Sequence, residues 1–99
     1  MKDYVYYNDL FVIYAPLLTQ NERDTFKDYY QEDLSLTEIS ENKSISRAAV
    51  QKTVKNVIDK LNYYENTLGK YKILNTVKKA ASLDDIDAIK EELNQIIEG

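Results

Sequence analysis

Apolar side chains return at helical intervals along nearly the whole chain. Tyr7, Leu10, Phe11 and Tyr14 fall at i, i+3, i+4 and i+7, the spacing of one helix face. Pro16 should end that helix, because proline lacks an N–H and clashes with the preceding turn. Thr19 followed by Glu22 has the form of a capping box, in which each side chain satisfies the other's backbone N–H. The helix it starts carries Phe26, Tyr29 and Tyr30 on one side. Ser35 and Glu38 repeat the signature before a short helix holding Leu36 and Ile39. Ser46 is the next N-cap, and Val50, Val54, Val57, Ile58, Leu61, Tyr64 and Leu68 then trace one face as far as Gly69, a natural helix stop. Tyr71, Ile73, Leu74 and Val77 give a further helix to Ala80–Ala81, and Ser82 with Asp85 offers a cap for a last one along Ile86, Ile89, Leu93, Ile96 and Ile97. The pattern predicts an all-α fold of five to six helices in one compact domain over residues 1–99.

Composition supports that expectation. The chain has 99 residues with 2 Gly and 1 Pro, few turn formers for a sheet-rich fold. It contains no Cys and no His, so zinc fingers, thiolate nucleophiles, histidine bases and disulfides are all excluded. No apolar run approaches the ~18 residues of a membrane span, and no signal-peptide pattern opens the chain. A cytoplasmic protein without membrane insertion is expected. Asp84, Asp85 and Asp87 resemble cation ligands superficially but lack the glycine and bidentate Glu spacing of a calcium loop. Their place at a helix start suits the positive end of its dipole. Without a phosphate-cradling loop or a nucleophile paired with a base, neither an enzyme nor a bound metal or cofactor is expected.

Charge is unevenly spread. The formal net charge is −4, yet residues 43–60 carry Lys43, Arg47, Lys52, Lys55 and Lys60 against Asp59 alone. This basic stretch coincides with a helix-turn-helix pattern over about 35–58. Ile39 and Val50 would pack its two helices together, Ile45 would plug the turn, and Ser40 would permit close approach. The turn needs a left-handed residue, for which the chain offers Asn42, Lys43 and Ser44, and asparagine tolerates that conformation best. If the second helix enters a major groove, Ser46, Arg47, Ala48, Gln51, Lys52 and Lys55 would face outward. Arg47 could then fork onto guanine, Gln51 onto adenine, and the lysines onto phosphates. The plainer alternative is that a solvated helix face simply needs polar side chains. The pairs Tyr6–Tyr7, Tyr29–Tyr30 and Tyr63–Tyr64 could stack bases, but one core and one boundary ring per pair is the favoured reading.

The strings Tyr14 to Thr19, Phe26 to Ile39, Ile45 to Lys55 and Leu61 to Leu68 follow a recurring pattern, YxPLLT, F…YYxxDLSLxEI, ISRxAVxxxIK and LxxYExxL. Over roughly residues 10–70 the chain resembles region 4 of bacterial sigma factors, and more closely the YlxM-like family of small bacterial helix-turn-helix proteins. Ser44 stands where that pattern usually has Gly, Val54 replaces Ile, and Asn56 stands where a basic residue often follows the Lys. The resemblance implies a helix-turn-helix core at about 19–69 with a helical extension over 70–99. It also implies a non-enzymatic regulator of the signal recognition particle pathway, because family genes lie beside those of its GTPases. Partners would then be the targeting GTPase or its RNA. A duplex-DNA-binding transcriptional regulator is the alternative, using Ser46, Arg47, Gln51, Lys52 and Lys55. The thin basic patch, Asn56 and the acidic flanks favour the first. A homodimer is expected through Leu74, Val77, Ile86, Ile89, Leu93, Ile96 and Ile97, because so many apolar side chains within the last thirty residues would leave a large exposed patch.

Overall fold

Local capping sets most element boundaries. The computed structural model describes residues 3–82 and 86–98, which form six α-helices and, among those residues, no strand. Helix α1 (Tyr4–Tyr14) is capped by Asp3, whose carboxylate accepts the Tyr6 N–H. Pro16 sits inside a 3₁₀ turn over Ala15–Leu17 that ends it. Helix α2 (Gln20–Phe26) starts at the predicted box: Glu22 Oε1 accepts the Thr19 N–H at 2.8 Å, and Thr19 Oγ1 accepts the Glu22 N–H at 3.2 Å. It continues through a wider π turn, Lys27–Gln31, which ends at Asp33 with φ 54°. Ser35 and Glu38 cap α3 (Leu36–Lys43) in the same reciprocal way, and Ser46 caps α4 (Arg47–Leu68).

Helices α1, α2 and α4 enclose the main core of Leu10, Phe11, Tyr14, Leu18, Phe26, Tyr30, Val57 and Leu61. Phe11 stacks on Phe26 at 4.3 Å, and Phe26 stacks on Tyr30 at 4.7 Å. Burial pushes the Tyr30 phenol up to about 12, with nearby Tyr29 and Tyr7 adding to the rise, so this ring stays neutral. Tyr30 is core and Tyr29 half-buried, as expected for that pair; Tyr64 is only half-buried and Tyr63 open, so neither ring of that pair is core. Tyr6 and Tyr7 are both half-buried, because Tyr6 meets Tyr71 edge-on while the Tyr7 hydroxyl reaches Asn62.

Helices α3 and α4 pack against each other with Ile39 and Val50 both fully buried, as the pattern requires. One detail of the turn differs from expectation, and one of its three candidates takes the inverted φ. Ile45, expected to plug the turn, is 43% exposed, while its backbone N–H closes the end of α3 onto the Ser40 carbonyl. Asn42 stays helical, and Ser44 takes the left-handed conformation at φ 56°. The chain turns one residue after Lys43, so position 44 is the one whose φ must invert. Ser40 is buried and donates its hydroxyl to the Thr37 carbonyl.

Gly69, at φ 63°, ends α4 and lets α5 (Lys70–Ala81) begin at once. A glycine supplies no side-chain cap, and Glu65 substitutes from the preceding helix. Its two oxygens accept the N–H groups of Tyr71 and Lys72 at 3.0 and 3.1 Å, and Oε1 also takes the Tyr14 hydroxyl at 2.6 Å. Helix α6 (Ile86–Glu98) folds back along α5, tied by Lys79 to Glu92 at 2.9 Å. The hairpin makes the chain elongated rather than compact. Its extents are 56 × 23 × 22 Å and its radius of gyration 17.2 Å, against about 13 Å for a compact chain of this length.

Candidate nucleic-acid interface

The second helix of the motif presents its first turns to solvent. Ser46 Oγ accepts the Ala49 N–H at 3.0 Å, which fixes where α4 starts and therefore which residues face outward. Ala48, Gln51, Lys52 and Lys55 then recur at i, i+3, i+4 and i+7 and form one exposed stripe. Val50 and Val57 turn the opposite way into the protein. Arg47 is exposed too, but lies to one side of the stripe, in a shallow cleft with Tyr4, Tyr29, Leu36 and Glu38. The structure thus brings Gln51, Lys52 and Lys55 together, with Ser46 at the tip and Arg47 on the flank.

Most cations of the basic stretch already have partners. Lys55 Nζ meets Asp59 at 2.8 Å one turn on, and Asp59 continues the same stripe. Lys43 donates to Asn21 at 3.0 Å. Lys60 grips both oxygens of Glu22 at 2.8 and 2.9 Å, tying α4 to the start of α2. Burial pushes the Glu22 carboxyl up, but the hydrogen bonds from Lys60 and Thr19 outweigh it and hold the group below its usual range. The hydrogen bond to Glu22 raises Lys60 correspondingly. Among the described residues, Arg47 and Lys52 are the cations of this stretch that no hydrogen bond or ion pair holds.

Neither the Lys60–Glu22 tie nor the role of Glu65 was foreseen, since both join residues through the fold. The Lys55–Asp59 pair carried a readable signal, its i, i+4 spacing. The half-buried rings of Tyr6, Tyr7 and Tyr29 line an open cleft with Val54 and Ile58, on a different side of α4 from the polar stripe. Any base stacked there would not be the one met by Gln51. Of the acidic trio, Asp87 lies in the first turn of α6, while Asp84 and Asp85, like the Ser82–Asp85 cap, involve positions outside the described residues. Among the described residues no three His, Cys, Asp or Glu side chains gather as metal ligands, and no helix is long and apolar enough to cross a membrane.

A family profile described as "Putative helix-turn-helix protein, YlxM / p13 like" (UPF0122) matches residues 1–98. A UPF0122 protein of Fusobacterium nucleatum is 32% identical over 98 residues, covering 99% of this chain and 95% of its own. One from Caldanaerobacter subterraneus is 38% identical over 89 residues, 90% of this chain and 72% of its own. One from Limosilactobacillus reuteri reaches 44% over 64 residues, 65% of this chain and 57% of its own.

Proposed function

The chain belongs to the UPF0122 family of YlxM/p13-like helix-turn-helix proteins, and from that premise we propose that it is a non-enzymatic regulator that meets duplex DNA through the first turns of α4. The observation that carries this reading is the exposed stripe of Ala48, Gln51 and Lys52 on the second helix of the motif, with unpaired Arg47 beside it. Gln51 can bond an adenine edge, while Lys52 and Arg47 reach phosphates on either side. Lys55 contributes little while Asp59 holds it.

Among the described residues, Arg47, Lys52 and Lys43, whose partner Asn21 is neutral, carry no ion pair, which predicts shallow salt dependence, with log K falling against log salt at a slope of about −2 to −3. Gel-shift titration on mixed duplex fragments at several salt concentrations measures it. Arg47→Ala and Lys52→Ala should each weaken binding. Asp59→Asn should tighten it and steepen the slope by about one, because Lys55 is released to a phosphate. No binding to duplex at low salt, or an Asp59→Asn variant identical to the parent, overturns the reading.

A second reading draws on the lysines already tied to Asn21, Asp59 and Glu22. So few available cations suit a motif kept as a scaffold for protein or RNA contacts, in the signal recognition particle pathway. Recovery of the targeting GTPase or its RNA in a native pull-down, without duplex binding, selects that alternative.

A further inference from the structure

The α5–α6 hairpin carries an apolar face that its own chain leaves open. On α5, Ile73, Leu74 and Val77 are 41%, 39% and 44% exposed, and on α6 Ile86, Leu93 and Ile97 are 67%, 38% and 79% exposed. Ile89 and Ile96 are half-buried, as they fill the seam toward α5. The open residues fall on one stripe of each helix: 73, 74 and 77 on α5, and 86, 93 and 97 on α6. Six large aliphatic side chains left open on two helices packed together are more than scattered surface apolarity.

Charge identifies what covers it. Helix α5 carries Lys70, Lys72, Lys78 and Lys79 and no acid. Helix α6 carries Asp87, Glu91, Glu92 and Glu98 against Lys90 alone, and with Lys79 and Glu92 already paired inside the hairpin the remaining charges still leave α5 basic and α6 acidic. An occupant must therefore offer an aliphatic surface flanked by acid over α5 and by base over α6. A second hairpin related by a twofold axis offers both. It lays its own acidic α6 on α5 and its lysine-rich α5 on α6. In the resulting four-helix bundle every neighbouring pair of helices has opposite charge, and like-charged helices sit across the diagonal. The excess of acid on α6 disfavours an anionic membrane surface as the occupant. From this complementarity we infer that two copies of the chain associate through their α5–α6 hairpins. The inference does not depend on whether α4 binds DNA.

Sedimentation velocity of the full chain at tens of micromolar tests it. The expected species has twice the 11.6 kDa chain mass. Ile86→Ser combined with Ile97→Ser alters positions already open to water in the single chain, so helix content by circular dichroism should hold while association weakens about tenfold or more. Val77→Gln on the other helix gives an independent variant with the same expectation. Lys70→Glu with Lys78→Glu, one turn to each side of Leu74, should also weaken association. A monomeric parent overturns the proposal, whatever else is found to cover the face. A dimer that survives both apolar variants overturns the assignment to this surface, and one indifferent to the charge reversal overturns the charge-paired arrangement.

Discussion

Glu22 joins two levels of the fold, and changing it separates them. Its carboxylate accepts the Thr19 N–H at the start of α2 and both ends of a forked contact from Lys60 on α4, 38 residues away. Glu22→Gln keeps an acceptor for Thr19 but loses the charge. A hydrogen bond to a charged group contributes about 1.5–3 kcal/mol. The Lys60 side chain is 40% exposed and can recover water, so the cost should fall below that range, at about 1 kcal/mol. Glu22→Ala also removes half of the capping box, worth about another 1 kcal/mol. For a domain of this size that total corresponds to a midpoint lowered by roughly 8–16 °C. Lys60→Met should cost more than Glu22→Gln, because it strands a carboxylate whose side chain is only 10% exposed. The depressed Glu22 group stabilises the fold above its unfolded value of about 4.3 and ceases to as pH falls through the lower folded value. The raised Lys60 group stabilises it below about 10.4 and ceases to as pH rises through the higher folded value. Thermal melts followed by circular dichroism should therefore show the parent's advantage over Glu22→Gln at neutral pH shrinking in strong acid. A gap that is the same at both pH values, or a Lys60→Met variant milder than Glu22→Gln, would refute this account.

Two further substitutions probe the motif itself. Ser44 holds a left-handed backbone at φ 56°, which costs a residue with a Cβ about 1–2 kcal/mol. Ser44→Gly removes that cost but gains unfolded-state freedom, so urea unfolding should show a net stabilisation of about 0.5–1 kcal/mol; a destabilised variant would mean that the serine makes a compensating contact. Val50→Asp places an unpaired charge at a fully buried position between α3 and α4. Its penalty should consume most of the roughly 5–15 kcal/mol that holds a small domain together, and a native-like helical spectrum with a cooperative melt would contradict it.

Features fixed within one helical turn were readable in the chain. Thr19 with Glu22, Ser35 with Glu38, and Ser46 each act across three residues, so their hydrogen bonds form wherever the local backbone turns helical. Pro16 and Gly69 end helices through their own backbone limits. The burial of Ile39 and Val50 followed from the helix period, and with it came the polar stripe on the other side of α4. Spacing could not say which lysines remain available, because that depends on the approach of α2 to α4, which sets Lys60 on Glu22, and on the packing of both α2 and α3 against α4, which brings Lys43 to Asn21. Nor could spacing alone choose among Asn42, Lys43 and Ser44 for the inverted φ, since a turn's register depends on where α3 stops against α4; the pattern's usual Gly at position 44 was the one pointer to it. Glu65 is an ordinary polar residue until α5 starts beside it and supplies two N–H groups. The apolar residues of the last thirty positions read as a patch for a second chain, without separating those the chain's own core would take from those left outward. Packing decided between these, because Tyr71 of α5 joins the core around α1 while the rest of the hairpin extends beyond it, with Ile86 and Ile97 left in water.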